Sequence, residues 1–156
     1  MYGCSKRSGR QRRLGRATGR PNSTFIGPVA VAGELAAYGL ERCDVDFCTA
    51  QLVVRRLTNG KQLRREPATV APLQPQSIQS VTWIVVKADG AVAWIGYANA
   101  TLAADASITE TEVHAYDEQG HRMLDSGLAI GLHSLRLHGS KLTWTDGGTT
   151  RTATLH

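Results

Sequence analysis

No apolar run in this chain approaches the roughly 18 residues a helix needs to cross a bilayer, so a helical membrane span is excluded. The opening residues are basic and lead into no apolar core, which predicts no signal peptide at this end. Helical periodicity with capping residues does not persist over any useful length, which removes the α and α/β classes. A G-x-S-x-G elbow, a phosphate-binding loop, an H-E-x-x-H pair and a dinucleotide fingerprint are all missing. The reading is therefore of a non-enzyme, with no catalytic, cofactor-binding or metal residues assigned. Cysteine is scarce: Cys4, Cys43 and Cys48 cannot complete a four-cysteine zinc site.

Acidic residues are absent before Glu34, whereas Lys6, Arg7, Arg10, Arg12, Arg13, Arg16 and Arg20 crowd the same stretch. The net charge of +5 is thus concentrated at one end, and the rest of the chain is close to neutral. A length of 156 residues with 42% apolar content suits one domain with a real core.

What is present is a repeat. VAVAGELAAY (Val29 to Tyr38), VVKADGAVAW (Val85 to Trp94) and LRLHGSKLTW (Leu135 to Trp144) align without a gap. Their turn pairs are Gly33-Glu34, Asp89-Gly90 and Gly139-Ser140, and Asp89-Gly90 suits a type I′ turn because both positions tolerate positive φ. Tyr38, Trp94 and Trp144 close the three units. A second hairpin type alternates with the first. VVRRLTNGKQLRR and VHAYDEQGHRML carry N-G or Q-G at a polar tip, and YGCSKRSGRQRRL places Ser8-Gly9 in the same column.

One hairpin of each type makes a four-stranded unit of about 50 to 60 residues, the size of a propeller blade. The expected fold is all-β: a β-propeller-like stack of four-stranded antiparallel blades forming an incomplete ring of about three blades. The boundaries are a half blade 1–16, blades 25–67 and 80–127, and a partial blade 131–155. In the first hairpin type both faces are apolar: Val92 and Trp94 point one way, Ala91, Ala93 and Ile95 the other. The second type carries Arg55, Arg56, Lys61, Arg64 and Arg65, or Glu112, His114, Asp117, Glu118 and Arg122, and reads as outer, solvated strands. Residues 68–79 read as a connector and 98–109 as a long loop.

MYGCSKRSGRQRRLG, VAGELAAYGLERCDVD, LVVRRLTNGK, SIQSVTWIVVKADGAVAWI and LHSLRLHGSKLTWTDGGTTRTATL together resemble the C-terminal blades of uncharacterised, exported actinobacterial β-propeller-like proteins of WD40-like repeat type. The resemblance spans nearly the whole chain. It implies further blades upstream, an extracytoplasmic location for the full-length protein and no assigned activity. A fragment of this kind is expected to expose an apolar blade flank and to self-associate.

Cys43 and Cys48 bracket one loop, and an oxidising compartment would let them staple it; separate thiols are the main alternative, with Cys4 outside the pair. Asp44 and Asp46 in that loop read as solvated carboxylates, because calcium needs more oxygen ligands than the neighbourhood supplies. His114, His121, His133, His138 and His156 read as surface or edge residues, and Trp94 and Trp144 as packing between blades. The expected role is a scaffold or protein- and ligand-interaction module, with contacts at the loops holding Cys43 to Cys48 and 98–109. Its partners would be protein, either further blades or a second copy. The alternative is nucleic-acid binding through phosphate contacts from Lys6, Arg7, Arg10, Arg12, Arg13 and Arg16.

Overall fold

Strand-forming runs broken by glycine turns produce thirteen strands, and no helix occurs among the described residues. The structure is a computed structural model that describes residues 1–4, 9, 11–14, 18, 23–70, 77–101 and 107–156. The strands are β1 (Tyr2–Cys4), β2 (Gln11–Arg13), β3 (Ser23–Ala32), β4 (Leu35–Cys43), β5 (Cys48–Arg56), β6 (Gln62–Pro67) and β7 (Ser77–Val86). They continue with β8 (Val92–Thr101), β9 (Ser107–Asp117), β10 (Gly120–Gly127), β11 (Arg136–His138), β12 (Lys141–Asp146) and β13 (Thr149–Thr154). No described helix is long and apolar enough to cross a membrane.

β3-β4-β5-β6 and β7-β8-β9-β10 are two antiparallel meanders, joined into one sheet by a single parallel bridge from Cys48 to Ile78. β11-β12-β13 is a separate three-stranded sheet, and β1 pairs with β2. Neither end of the larger sheet joins the other, so the described strands close no ring.

Side-chain alternation sorts the core into three clusters. Tyr38, Ala36 and Val53 pack under Leu14 and Leu57, beside the β1–β2 hairpin. Ala37, Leu52 and Val54 meet Ile84, Val92 and Trp94 between the two meanders. Ala93, Ile95, Val113 and Ala115 meet Leu135, Leu142, Trp144 and Leu155 of the last sheet. The two faces of β8 therefore separate as expected, Val92 and Trp94 on one side and Ala93 and Ile95 on the other.

The burial profile differs from the sequence expectation in one respect. Burial follows position within a meander, not hairpin type. β4, β5, β8 and β9 are the middle strands and are buried on both faces, whereas β6 and β10 are wet edges. Glu112, His114 and Asp117, expected on a solvated strand, are all buried. The physical reason is that a middle strand has a hydrogen-bonded neighbour on each side and a packed layer on each face. Charges at the tips of β5 and β9 concealed this.

Turn chemistry also departs in detail. The loop at Asp89-Gly90 spans three residues: Gly90 N–H donates to Lys87 O (3.1 Å) and Asp89 Oδ1 accepts from Ala91 N–H (2.9 Å). A two-residue turn with positive φ at both positions occurs instead at Gly147-Gly148 (55° and 80°), between the paired residues Asp146 and Thr149. The supposed loop at 98–109 is largely strand, because β8 runs on to Thr101 and β9 begins at Ser107.

Candidate functional site

The register pair Cys43 and Cys48 closes the β4–β5 turn with a disulfide, Cα atoms 4.0 Å apart. Inside it Asp44 N–H donates to Phe47 O at 2.9 Å, and Asp44 Oδ1 accepts from Val45 N–H at 2.9 Å. So short and doubly fixed a turn cannot fold its own apolar side chains inward. Val45 is 80% exposed and Phe47 45%. Phe25 from β3 and Ile78 from β7 are also exposed and line the same cavity of about 600 Å³, with Ser23, Asp44 and Asp46 at its polar edge. That volume falls within the range of small-ligand sites, and a cluster of solvent-facing apolar side chains at one place favours an apolar partner. The Cys48–Ile78 bridge puts the cavity where the two meanders meet.

A second constellation lies in the cluster between the meanders. Glu112 Oε2 accepts from Val70 N–H at 2.7 Å and from His114 Nε2–H at 2.6 Å. His114 Nδ1 then accepts from His121 Nε2–H at 3.1 Å, and His121 Nδ1 stands 3.8 Å from Glu66 Oε2 on β6. Because a carboxylate only accepts, this arrangement puts the His114 proton on Nε2 and leaves its Nδ1 as the acceptor. Trp94 stacks on both rings, at 5.0 Å and 5.4 Å between centroids, and its Nε1–H donates to Ala68 O at 2.9 Å. Burial pushes the His114 pKa down; the Glu112 hydrogen bond pulls the other way and His121 adds to the depression.

The line of groups runs from the surface at Glu66 and His121 to the backbone at Val70. None of its members lines the cavity at the stapled turn. The bonds from Val70 N–H to Glu112 and from Trp94 Nε1–H to Ala68 O hold the crossover segment 68–70 in place. Gly96, the register partner of Glu112, makes room for that segment: a Cβ there would stand 1.9 Å from Ala68 O.

Asp117 is a second buried acid. Burial opposes its ionisation, but the N–H groups of His156 and Gln119 and the Arg122 guanidinium prevail and hold its pKa down. It ties the β9–β10 tip to the end of the chain.

Of the basic segment, Lys6, Arg7, Arg10 and Arg16 lie outside the described residues. Arg13 is exposed on β2, and Arg12 donates to Thr58 O at 3.2 Å, docking the hairpin on the β5–β6 turn. Cys4 is exposed and outside the disulfide, its Sγ 3.8 Å from Gly9 O. Among the described residues no group of three His, Cys, Asp or Glu is placed to hold a metal ion. His133 sits in a turn, not on a strand, with its ring edge-on to Trp83 at 5.4 Å; His138 is on β11. Trp94 and Trp144 are core residues, as expected.

The Glu112–His114–His121 line was missed because it was sought as a spacing motif. The available signal was alternation: Glu112 and His114 share a strand face, and their cross-strand partners are Gly96 and Trp94, the second of which closes the apolar repeat. Comparison with family models, with curated proteins and with solved structures finds no match to this chain.

Proposed function

We propose that the protein is a non-catalytic interaction module whose two meanders are propeller-type blades, with the cavity at the Cys43–Cys48 turn as its contact surface. The observation that carries this is the convergence of Phe25, Val45, Phe47 and Ile78 around one cavity of about 600 Å³, from two strands and a stapled turn. Preorganised apolar side chains at a rigid turn are suited to receiving an apolar anchor from a protein partner, because little conformational entropy remains to be lost. The disulfide supports an oxidising compartment, in keeping with an exported protein of the actinobacterial propeller-like kind. Four-stranded antiparallel meanders with buried middle strands support the blade reading.

The test is selection of peptides from a random display library on the wild-type protein, with counter-selection on Val45→Asp/Phe47→Asp. Enriched peptides should carry apolar or aromatic anchors and bind the variant at least about tenfold more weakly, the loss of one interface hot spot. Peptides that bind both proteins equally, or an absence of wild-type-specific binders, would end the proposal.

A further inference from the structure

The flank of the first meander beside the β1–β2 hairpin carries charge of one sign. Tyr38 and Val53 are cross-strand partners in the cluster under that hairpin. Alternation from Tyr38 puts Arg42 on their face, alternation from Val53 puts Arg55 there, and the pair Val53–Arg65 adds Arg65. These three arginines are the charged residues that β3 to β6 place on this face; Glu41 and Glu66 fall on the opposite one. Arg42 and Arg65 are exposed, and Arg65 is held over β5 by Gln51 Oε1 at 2.6 Å.

The hairpin extends the same surface. Gly3 lies against Leu57, so Tyr2 faces outward with its cross-strand partner Arg13. Tyr2 is 66% exposed, unusual for a phenol ring in a strand.

We propose that this flank binds single-stranded nucleic acid, with Arg13, Arg42 and Arg65 contacting phosphates, Arg55 adding its charge from beside Tyr38, and Tyr2 stacking on a base. Guanidinium groups suit phosphate oxygens because their planar donors can engage two at once. The aromatic ring beside a cation is what separates a nucleic-acid surface from one that merely attracts polyanions, since unpaired bases stack and other polyanions offer nothing to stack. The site goes beyond the basic N-terminal segment alone; at one end Arg42 borders the stapled turn, beside Cys43, Asp44 and Phe47, and Arg65 lies away from it on β6.

The test is fluorescence anisotropy of the full chain with a labelled 20-nucleotide single strand, its duplex and labelled heparin, over a salt series. Single-strand binding should weaken with salt, and Arg42→Glu/Arg65→Glu should lower affinity at least about tenfold and flatten the log–log salt slope by about 1.4. Tyr2→Ala should weaken the single strand about 5- to 100-fold and leave heparin unchanged. Arg151→Glu, on β13 at the far end, should stay within about twofold of wild type, and circular dichroism melts establish that each variant is folded. Single-strand binding within about twofold in the double variant refutes the site. Equal loss of single strand and heparin in Tyr2→Ala, no loss of either, or no single-strand binding at low salt refutes the nucleic-acid assignment.

Discussion

Replacing Glu112 by alanine should be among the costliest single substitutions in this chain. Its Oε2 is the acceptor for two N–H donors, from Val70 at 2.7 Å and His114 at 2.6 Å. His114 is fully buried, so its Nε2–H left unpaired costs about 2 to 3 kcal/mol. Val70 is half exposed and can recruit water, so its N–H adds about 1 kcal/mol or less. The sum is about 2 to 4 kcal/mol, its upper end near the cost of breaking a buried pair by removing one partner. Moving the His114 proton to Nδ1 gives little relief, because Nδ1 already faces a donor in His121. In urea, with a denaturant slope of about 2 kcal/mol per M, the midpoint should fall by about 1 to 2 M with the slope unchanged. A double-mutant cycle with His114→Leu should return a coupling of at least about 1 kcal/mol. A loss below about 1 kcal/mol in Glu112→Ala, or a coupling near zero, would show that the two side chains are merely adjacent.

His114 also sets a pH dependence. Its folded-state pKa is depressed, chiefly by burial, so its stabilising contribution is complete above the ordinary histidine value near 6.5 and is lost as pH falls below it. Thermal melts should drop between pH 7 and 5, and His114→Phe should flatten that slope; an unchanged slope would refute the assignment. Gly96→Ala puts a Cβ 1.9 Å from Ala68 O, an overlap with backbone that no rotamer relieves, and should cost about 3 kcal/mol or more. A melting point lowered by less than about 6 °C would mean that the crossover segment yields easily. Reducing the Cys43–Cys48 bond releases a short ring worth about 2 kcal/mol, measured as the difference in urea stability between oxidised protein and Cys43→Ser/Cys48→Ser. No difference would place the value of the disulfide in shaping the turn alone.

The all-β class, the core position of Trp94 and the division of β8 into two faces were legible because each rests on local alternation. The Gly139-Ser140 turn was legible too, between the paired residues His138 and Lys141. The burial of β5 and β9 was not, because it depends on which strand lies next to which, and the arginines and acids at their ends outweighed the apolar triad Leu52-Val53-Val54 and the pair Val113 and Ala115. The disulfide was legible as a possibility from its spacing, and its pairing came from the register of β4 and β5. Exposure of Phe25 and Ile78 beside the turn was invisible, since those residues lie far from it in sequence.

The flanks decide what this domain can meet. Self-association was expected on the premise of an apolar blade flank. On the last sheet, Leu137, Leu142, Trp144 and Ala153 point to the core, so their neighbours define the outer face. Those neighbours are Arg136, His138, Lys141, Thr143, Thr145, Thr150, Thr152 and Thr154. A sheet packed there would bury hydroxyls and cations with no partners in view, at a cost of roughly 1 to 3 kcal/mol for each unpaired group. At the opposite end Arg42, Arg55 and Arg65 make the same demand more strongly, because a guanidinium cannot shed its charge. The outer face of the last sheet is thus polar, whereas the opposite face sets its arginines beside Val29 and Val31, which share the Tyr38 face and stand 40% and 63% exposed. On the two proposals above, an apolar partner meets the stapled turn, where Val45 and Phe47 are held in water, and an anionic one meets the arginine flank.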